Sequence, residues 1–123
     1  MTLRRTIMEW STGFGWVEIN GRRYEHDIVV HTDGRVTKRR KKASKGLRDE
    51  YGHTPLSHHE LDVLDEGPKR VIVGTGQDGA LPITPEARRM LVAYEHLIAP
   101  TPKALKVLSE ERKGTLAIIH VTC

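Results

Sequence analysis

The last third of this 123-residue chain constrains its fold more than any other segment. From residue 70 onward, apolar runs of strand length alternate with amphipathic runs of helix length, in the order strand, glycine-rich turn, helix, strand, helix, strand. The runs 70–73 and 115–121 are apolar at consecutive positions, whereas a strand with one solvated face is polar at every second position. This pattern predicts strands of a mainly parallel sheet that are covered on both faces.

Two helices in this region start from the same signal, a threonine followed by a proline. Thr84-Pro85 and Thr101-Pro102 each offer a threonine as N-cap and a proline at the first helical position, where its missing N–H has no helical partner. Each helix also has apolar residues at helical spacing, and we therefore expect each to pack this apolar face against the sheet. The apolar positions at helical spacing are Ala87, Met90, Leu91 and Tyr94 in the first helix and Ala104, Val107 and Leu108 in the second.

The first half of the chain has the sequence pattern of β-hairpins. Residues 14–19 alternate large apolar with small or polar side chains, which is the period of a half-buried strand. Asn20-Gly21 and Asp33-Gly34 follow strand-like runs, and both pairs tolerate the positive φ angles of tight hairpin turns. The first forty residues are therefore predicted to form a β-meander, with strands over 14–19, 22–26, 27–31 and 35–38.

Residues 38–48 carry most of the positive charge. The net charge is +4, but residues 1–52 hold twelve Lys and Arg against seven Asp and Glu, while residues 53–123 hold eight against nine. Seven bases and no acid lie within 38–48. Such a run could contact the phosphates of a nucleic acid, but Tyr51 is the one nearby aromatic residue for base stacking. We predict a solvated loop that contributes little to folding.

A further helix is predicted after this segment. Ser57 is a favourable N-cap, and Glu60 stands three residues later, which is the spacing of a reciprocal capping box. Gly67-Pro68 is a stop signal, because glycine adopts the left-handed conformation after a helix and proline cannot continue one. The helix should therefore lie between Ser57 and Gly67.

Length and composition indicate one domain, spanning residues 1–123, with a single ordinary core. The one cysteine, Cys123, cannot form an intrachain disulfide. No apolar run approaches the length of a membrane span, and no charged-then-apolar leader opens the chain. We expect a soluble cytoplasmic protein that needs no cofactor and does not contact a membrane.

The glycine-rich loop after the strand 70–73 is the first candidate ligand site. Residues 74–79 match the G-x-G-x-x-G pattern of dinucleotide-binding turns, yet the next helix starts too late for its amides to meet a pyrophosphate. Gly74, Thr75 and Gly76 could instead meet Thr101 at the carboxyl edge of the sheet, where α/β folds bind ligands. A tight turn without a ligand explains the glycines equally well.

Histidines offer the other candidate chemistry. His53, His58 and His59 cluster in the sequence, but neighbouring residues of a helix point to different sides and no cysteine joins them, so no metal site is predicted. His120 and Cys123 lie three residues apart in a strand and therefore face opposite sides, which argues against a base and nucleophile pair. His53 remains the candidate for proton transfer or ligand binding.

Several segments together resemble the Mth-type domain, a small α/β domain of unknown function. They are Val71-Ile72-Val73-Gly74-Thr75-Gly76, Gly79-Ala80-Leu81, Pro100-Thr101 before a helix, His53-Thr54-Pro55, and Ile119-His120-Val121-Thr122-Cys123. The resemblance implies a three-layer β/β/α arrangement, in which the N-terminal β-meander packs on a mixed sheet backed by helices. This chain has Arg39-Arg40 where several members carry tryptophan, and Leu108-Ser109 where many carry Tyr-Asn.

The resemblance favours binding over catalysis. Members of the family, among them an adipogenesis-associated protein and a mitochondrial complex I assembly factor, look like assembly or regulatory factors. We therefore predict a non-enzymatic interaction or assembly module with a protein partner, and a homodimer is an open alternative. A binder or enzyme of a small anionic metabolite, using residues 74–79, is the second hypothesis. Nucleic-acid binding through residues 38–48 is the third and least favoured.

Overall fold

The structure of the protein is a computed structural model that describes residues 8–123. Within these residues no helix is long and apolar enough to cross a membrane. The strands are β1 (Trp10–Gly13), β2 (Trp16–Ile19), β3 (Arg22–Tyr24), β4 (Ile28–Val30), β5 (Val36–Lys38), β6 (Arg70–Thr75), β7 (Glu95–Ala99) and β8 (Thr115–His120). The α-helices are α1 (Arg48–Tyr51), α2 (Pro85–Leu91) and α3 (Thr101–Glu110). Two 3₁₀ helices are named the basic 3₁₀ helix (Lys41–Leu47) and the acidic 3₁₀ helix (His58–Glu66).

A five-stranded mixed sheet with the order β5-β4-β8-β6-β7 forms the centre of the fold. β6 pairs in parallel with both β7 and β8, whereas β4 pairs antiparallel with β5 and β8. The expected adjacency of strands 70–73 and 115–121 is thus confirmed, and every residue of β8 is buried. β7 lies at the edge of the sheet, where Leu97 and Ile98 are half-buried rather than fully covered.

The N-terminal strands divide between two sheets, which corrects the prediction of one continuous meander. β1, β2 and β3 form a separate antiparallel sheet, and Asn20 (φ 50°) and Gly21 (φ 82°) make the predicted hairpin turn. β4 and β5 instead join the five-stranded sheet, although the predicted turn at Asp33-Gly34 does connect them. Residues 28–30 are all buried, and a strand that is apolar on both faces needs the two-sided cover that only the larger sheet provides.

The strand predicted over 14–19 is shorter than its sequence pattern suggests. β2 begins at Trp16, and Phe14-Gly15 forms the turn that connects it to β1. Phe14 is 70% exposed, and Gly15 has φ 88°, which lies outside the conformational range of a strand. The alternation was misleading because Phe14 extends the apolar period into the turn.

Two apolar cores cover the two faces of the five-stranded sheet. Along β6, Ile72 belongs to the first core, while Val71 and Val73 belong to the second. The three-stranded sheet and α3 pack on the first face, and the acidic 3₁₀ helix and α2 pack on the second. The predicted three-layer β/β/α arrangement is therefore present, with α3 sharing the layer of the small sheet. Each fully buried Leu or Ile contributes about 1.5–3 kcal/mol through the hydrophobic effect.

The two Thr-Pro signals start their helices differently. Thr84 caps α2, since its side-chain oxygen accepts a hydrogen bond from the N–H of Ala87 at 3.2 Å, as predicted. In α3 the N-cap is Pro100, and Thr101 is already the first helical residue. The prediction that Thr101 is a cap is therefore wrong, because its buried hydroxyl is used by a tertiary contact.

The helix predicted after Ser57 is the acidic 3₁₀ helix, and its capping box does not close. Ser57 accepts a hydrogen bond from the N–H of His59 at 3.3 Å, and Gly67 at φ 70° follows the last turn. Glu60 does not return to the N-terminus of its helix. Its carboxylate is buried against Arg39, so a tertiary ion pair replaces the local cap.

Most of the segment 38–48 is helical rather than a solvated loop, which corrects the prediction: Lys38 ends β5, and residues 41–48 are helical. The basic 3₁₀ helix runs directly into α1. Arg39 and Ser44 are buried, while Lys41, Lys42 and Lys45 are exposed. Composition misled here, because the segment attaches to the fold through polar side chains that find buried partners instead of through apolar ones.

Candidate functional site

Residues 38–48, which we call the basic segment, form part of the wall of an open cleft of about 950 Å³. We call this cleft the basic cleft. All seven Lys and Arg residues of 38–48 contribute to its lining. Among the described residues its lining includes two histidines but no Asp or Glu, so positive charge is in excess. Concave sites for small molecules commonly enclose about 300–1,000 Å³. The other lining residues are Ala43, Gly52, His53, Thr54, Leu81, His120, Thr122 and Cys123.

Arg39 attaches the basic segment to the interior of the protein. Its side chain is 1% exposed, and its guanidinium donates hydrogen bonds to Asp27 at 2.8 Å and to the Pro55 carbonyl at 3.0 Å. It also makes a two-pronged contact with Glu60, at 2.7 and 2.9 Å. Burial by itself lowers the pKa of Arg39, but the two carboxylates outweigh burial and raise it, so the guanidinium remains charged.

Asp27 lies at the junction of Arg39 and the last strand. One carboxylate oxygen accepts hydrogen bonds from Arg39 and from Nδ1 of His120, both at 2.8 Å. The other accepts from the backbone N–H of Val121 at 2.9 Å. Burial alone raises the pKa of Asp27, but the hydrogen bond and charge of His120, the Val121 amide and the charge of Arg39 together lower it to about 2. Asp27 is therefore an ionised carboxylate near neutral pH.

The charge of Asp27 determines the tautomer of His120. An ionised carboxylate only accepts hydrogen bonds, so Nδ1 of His120 carries the proton in the contact with Asp27. In the neutral imidazole Nε2 is then the acceptor, and the hydroxyl of Thr122, 3.1 Å away, donates to it. His120 and Thr122 both line the basic cleft. A directional chain of hydrogen bonds thus runs from Thr122 through His120 to Asp27.

Glu60 completes the buried polar network on the side of the 3₁₀ helices. Its carboxylate accepts from Arg39 and from the hydroxyl of Ser44. The Ser44 and Ser57 hydroxyl oxygens lie 2.6 Å apart, and both residues are buried. Because buried polar groups without partners are costly, this network holds the basic 3₁₀ helix against the start of the acidic 3₁₀ helix.

The glycine-rich loop is occupied by the chain's own residues. Six successive backbone N–H groups, from Gly76 to Leu81, donate hydrogen bonds within the protein. Their acceptors are Thr101 Oγ1, Thr122 O, Cys123 O, Gly76 O, Cys123 O and Thr75 O, in chain order. A phosphate held in this loop would have to displace these partners. The loop therefore holds residues 122–123 against the edge of the sheet.

Close packing explains why two positions of this loop are glycine. A Cβ atom at Gly76 would lie 2.3 Å from the backbone carbon of Cys123 and 2.9 Å from the His120 ring. At Gly74 a Cβ atom would lie 2.9 Å from the hydroxyl oxygen of Thr101. Gly76 also has φ 103°, a conformation that side chains disfavour. These contacts match the tight-turn interpretation of the glycines.

The structure separates the predicted ligand residues into two places. Gly74, Gly76 and Thr101 are in direct contact, and Thr75 is buried beside them at the end of β6. His53 is exposed and lines the basic cleft instead. None of the three residues from Gly74 to Gly76 is part of the lining of that cleft. A ligand bound jointly by these five residues stays a prediction, and the cleft beside His53 is the more open location.

The other two histidines of the sequence cluster lie on the surface. His58 and His59 are exposed, and their ring centroids are 4.0 Å apart. Within residues 8–123, no group of three or more His, Cys, Asp or Glu side chains is placed to hold a metal ion.

Sequence reasoning missed Asp27, Arg39 and the role of His120. One signal was available, because residues two apart in a strand share a face, so His120 faces the same side as Thr122 rather than Cys123. A local signal for the pairing of Asp27 with Arg39 was also available, because both residues flank the hairpin predicted at Asp33-Gly34. The register that pairs Ile28 with Lys38 continues to them, and the N–H of Arg39 donates to the Asp27 carbonyl at 3.0 Å.

Comparison with known proteins finds relatives of this chain in both sequence and structure. A family model described as "Protein of unknown function (DUF498/DUF598)" matches residues 10–120. The solved structure of the conserved hypothetical protein PH1505 from Pyrococcus horikoshii OT3 is 38% identical, with a TM-score of 0.82, and the match covers 96% of this chain and 100% of that one. A structure named MT938 is 40% identical, with a TM-score of 0.75 and coverage of 94% and 99%.

More distant structures share the fold alone. A Bordetella pertussis protein, whose solution structure is described as a Mth938-like domain, is 23% identical with a TM-score of 0.55, and the match covers 98% of this chain and 92% of that one. No curated protein matches this sequence.

Proposed function

Because this chain belongs to the DUF498/DUF598 family of unknown function, whose solved relatives include Mth938-like domains, we propose a function from its own geometry: it binds a small anionic metabolite in the basic cleft. The observation that carries this proposal is the lining of the cleft by seven Lys and Arg residues without an Asp or Glu among the described lining residues. The sequence had suggested the binding of a small anionic metabolite at residues 74–79. Here the proposed binding site is the neighbouring basic cleft instead.

Most of the positive charge in the cleft is uncompensated. Arg39 is paired with Asp27 and Glu60, and Arg40 is paired with Asp62 at 2.6 Å. Among residues 8–123 the other five bases form no ion pair: Lys38, Lys41, Lys42, Lys45 and Arg48. A concave surface with charge of one sign concentrates the field and attracts ligands of the opposite sign.

The shape and composition of the cleft favour a small ligand over a macromolecule. Single-stranded nucleic acids bind through aromatic side chains that stack on the bases, and the described lining contains no Phe, Tyr or Trp. A stable protein partner typically buries about 800 Å² on each side. The cations here instead line a cleft of about 950 Å³, which is the size of a small-molecule site. Assembly with a protein partner, which the family resemblance implies, is a separate proposal that the same binding measurements address.

Binding of pyrophosphate, measured by calorimetry and thermal shift, tests the proposal. A ligand that binds only the native state stabilises it by about 2.7 kcal/mol at a hundredfold excess over its Kd, so the melting temperature should rise. The triple variant Lys41→Gln, Lys42→Gln and Lys45→Gln should bind at least about tenfold more weakly. The matched control is Lys103→Gln, Lys106→Gln and Lys113→Gln, which changes three exposed lysines outside the cleft.

Three results would contradict the small-ligand proposal. Equal affinity of the triple variant and the control variant would show that the cleft is not the site. Binding that strengthens with the length of an RNA oligonucleotide and falls steeply with salt would support the nucleic-acid hypothesis instead. An absence of pyrophosphate binding would leave the interaction module as the better hypothesis.

A further inference from the structure

The anion-binding proposal uses the lysines of the basic cleft but not the hydrogen-bonded chain beneath them. In that chain Nε2 of His120 accepts from the Thr122 hydroxyl at 3.1 Å, and Nδ1 donates to Asp27 at 2.8 Å. A hydroxyl beside an imidazole whose other nitrogen is oriented by a carboxylate is the recurring arrangement of activated nucleophiles. The structure therefore contains the parts of a hydroxyl-activating site.

The surrounding contacts hold this arrangement in one orientation. The His120 ring packs against Gly76, where a Cβ atom would lie 2.9 Å from the imidazole. The backbone carbonyl of Thr122 accepts a hydrogen bond from the N–H of Gln77 at 2.7 Å, and Asp27 also accepts from the N–H of Val121. Because backbone and ring are both held, the imidazole stays directed at the hydroxyl, and such preorganisation is what catalytic groups require.

Thr122 is reachable from solvent. Thr122 is half-buried and lines the basic cleft. Negative charge that develops on an oxygen near Thr122 would be stabilised by the cationic lining of the same cleft.

We infer that Thr122 is a nucleophile for acyl transfer, with His120 as its general base and Asp27 as a positioning residue, and that the substrate is an ester that carries an anionic group. This inference rests on the proposed function only for the choice of an anionic substrate.

The reaction consumes only the ester and one water molecule. Thr122 Oγ1 attacks the ester carbonyl carbon, its proton passes to Nε2 of His120, and the new C–O bond forms. The bond to the leaving alcohol then breaks, and the alkoxide takes the proton from His120. Water repeats the sequence on the acylated Thr122, so the products are a carboxylic acid and an alcohol.

A second chain of the same order serves as an internal control. Nδ1 of His31 lies 2.5 Å from Glu66, and Nε2 lies 2.7 Å from the Thr37 hydroxyl. This chain lies in a separate groove of about 440 Å³ whose lining holds four carboxylates and two bases. The geometry is shared while the surrounding charge is reversed, so an anionic ester should select Thr122 and not Thr37.

Acylation by two 4-nitrophenyl esters tests the inference. Neutral 4-nitrophenyl acetate and the anionic 4-nitrophenyl monoester of succinic acid are added to the protein carrying Cys123→Ser, which removes thiol acylation. We expect a burst of nitrophenolate and an acyl group on Thr122 by peptide mass spectrometry. Thr122→Val should reduce the burst at least about a hundredfold, Thr122→Ser should retain it, and Thr37→Val should leave it unchanged.

Measuring the tautomer of His120 tests whether Asp27 orients the imidazole or only supports the fold. The ¹⁵N shifts of the neutral His120 imidazole should show the Nδ1–H tautomer. Asp27→Asn should both change that tautomer and slow acylation of Thr122, while the amide spectrum remains that of a folded protein. If Asp27→Asn is unfolded, Thr122→Val and the wild-type tautomer still decide the question.

The outcomes distinguish this inference from the proposed function. Pyrophosphate binding without acylation of Thr122 by either ester would overturn the inference and leave anion binding intact. Acylation of Thr122 at equal rates by both esters would support the activated hydroxyl but contradict the anionic substrate. Acylation of Thr37 or of lysines as fast as Thr122 would show ordinary surface reactivity and overturn the inference.

Discussion

At the scale of single residues, Arg39 connects the carboxylates of the site to each other. It joins Asp27 and Glu60, two buried carboxylates whose negative charge it partly neutralises. Burying charges is costly, and a buried pair repays that cost only when its hydrogen bonds are nearly complete. The guanidinium here meets both acids and a backbone carbonyl, which satisfies the condition.

Replacing Arg39 by methionine should destabilise the protein by about 3–5 kcal/mol at neutral pH, because two buried carboxylates lose their partner. The loss should shrink as the pH is lowered, since the unpaired carboxylates can then bind protons and become neutral. Urea unfolding at several pH values measures both effects. The control is Arg40→Met, which breaks only an exposed pair with Asp62 and should change stability by about 1 kcal/mol or less. Equal losses for the two variants would contradict this account.

At the scale of elements, the basic 3₁₀ helix has a structural side and a charged side. Ser44 faces the interior, where it meets Ser57 and Glu60, and Arg39 precedes the helix. The lysines of the same helix are exposed and line the cleft. Attachment to the fold and contact with an anion therefore depend on different side chains of one element.

Neutralising Lys41, Lys42 and Lys45 together should leave the melting temperature nearly unchanged, because exposed substitutions rarely alter stability by more than about 0.5 kcal/mol each. Removing like charges from one helix can even stabilise it slightly. Differential scanning calorimetry without ligand measures this. A fall of more than about 8 °C, which corresponds to roughly 2 kcal/mol for a chain of this length, would show that these lysines also support the fold.

At the scale of the whole molecule, the polar network and the five-stranded sheet connect distant parts of the chain. β4 pairs Ile28 with Ile119, and Asp27 contacts His120, 93 residues away. The sheet and the network are therefore formed by the same long-range approach of the N-terminal half to β8. Protonation of Asp27 should therefore lower the free energy of unfolding of the whole molecule and not only of one segment.

Stability should fall as the pH drops from about 4 to about 2. The pKa of Asp27 is about 2 in the folded protein and about 3.9 in the unfolded chain. Ionised Asp27 therefore contributes its full stabilisation above the unfolded pKa, and this contribution is lost as the pH falls through the folded pKa. The effect should be about 2 kcal/mol. Unfolding free energies across this range should show a smaller slope for Asp27→Asn and an unchanged slope for the exposed-site control Asp62→Asn. An unchanged slope in Asp27→Asn would assign the acid sensitivity to other carboxylates.

Local sequence by itself determined the turns, the start of α2 and the apolar character of β6 and β8. Asn20-Gly21 makes a hairpin and Thr84-Pro85 starts a helix because the backbone preferences and capping bonds involved span only a few residues. Continuous apolar runs predicted the adjacency of β6 and β8, because both faces of such strands must be covered.

Only the tertiary structure decided the partners of the polar residues. Glu60 matches a capping box and Thr101 matches an N-cap, yet Glu60 bonds Arg39, while Thr101 bonds Gly76 and His120. The seven bases likewise read as a solvated run, although Arg39 is buried. Charge pairing and hydrogen bonding depend on distance in space and on desolvation, and neither quantity is encoded in the spacing of residues along the chain.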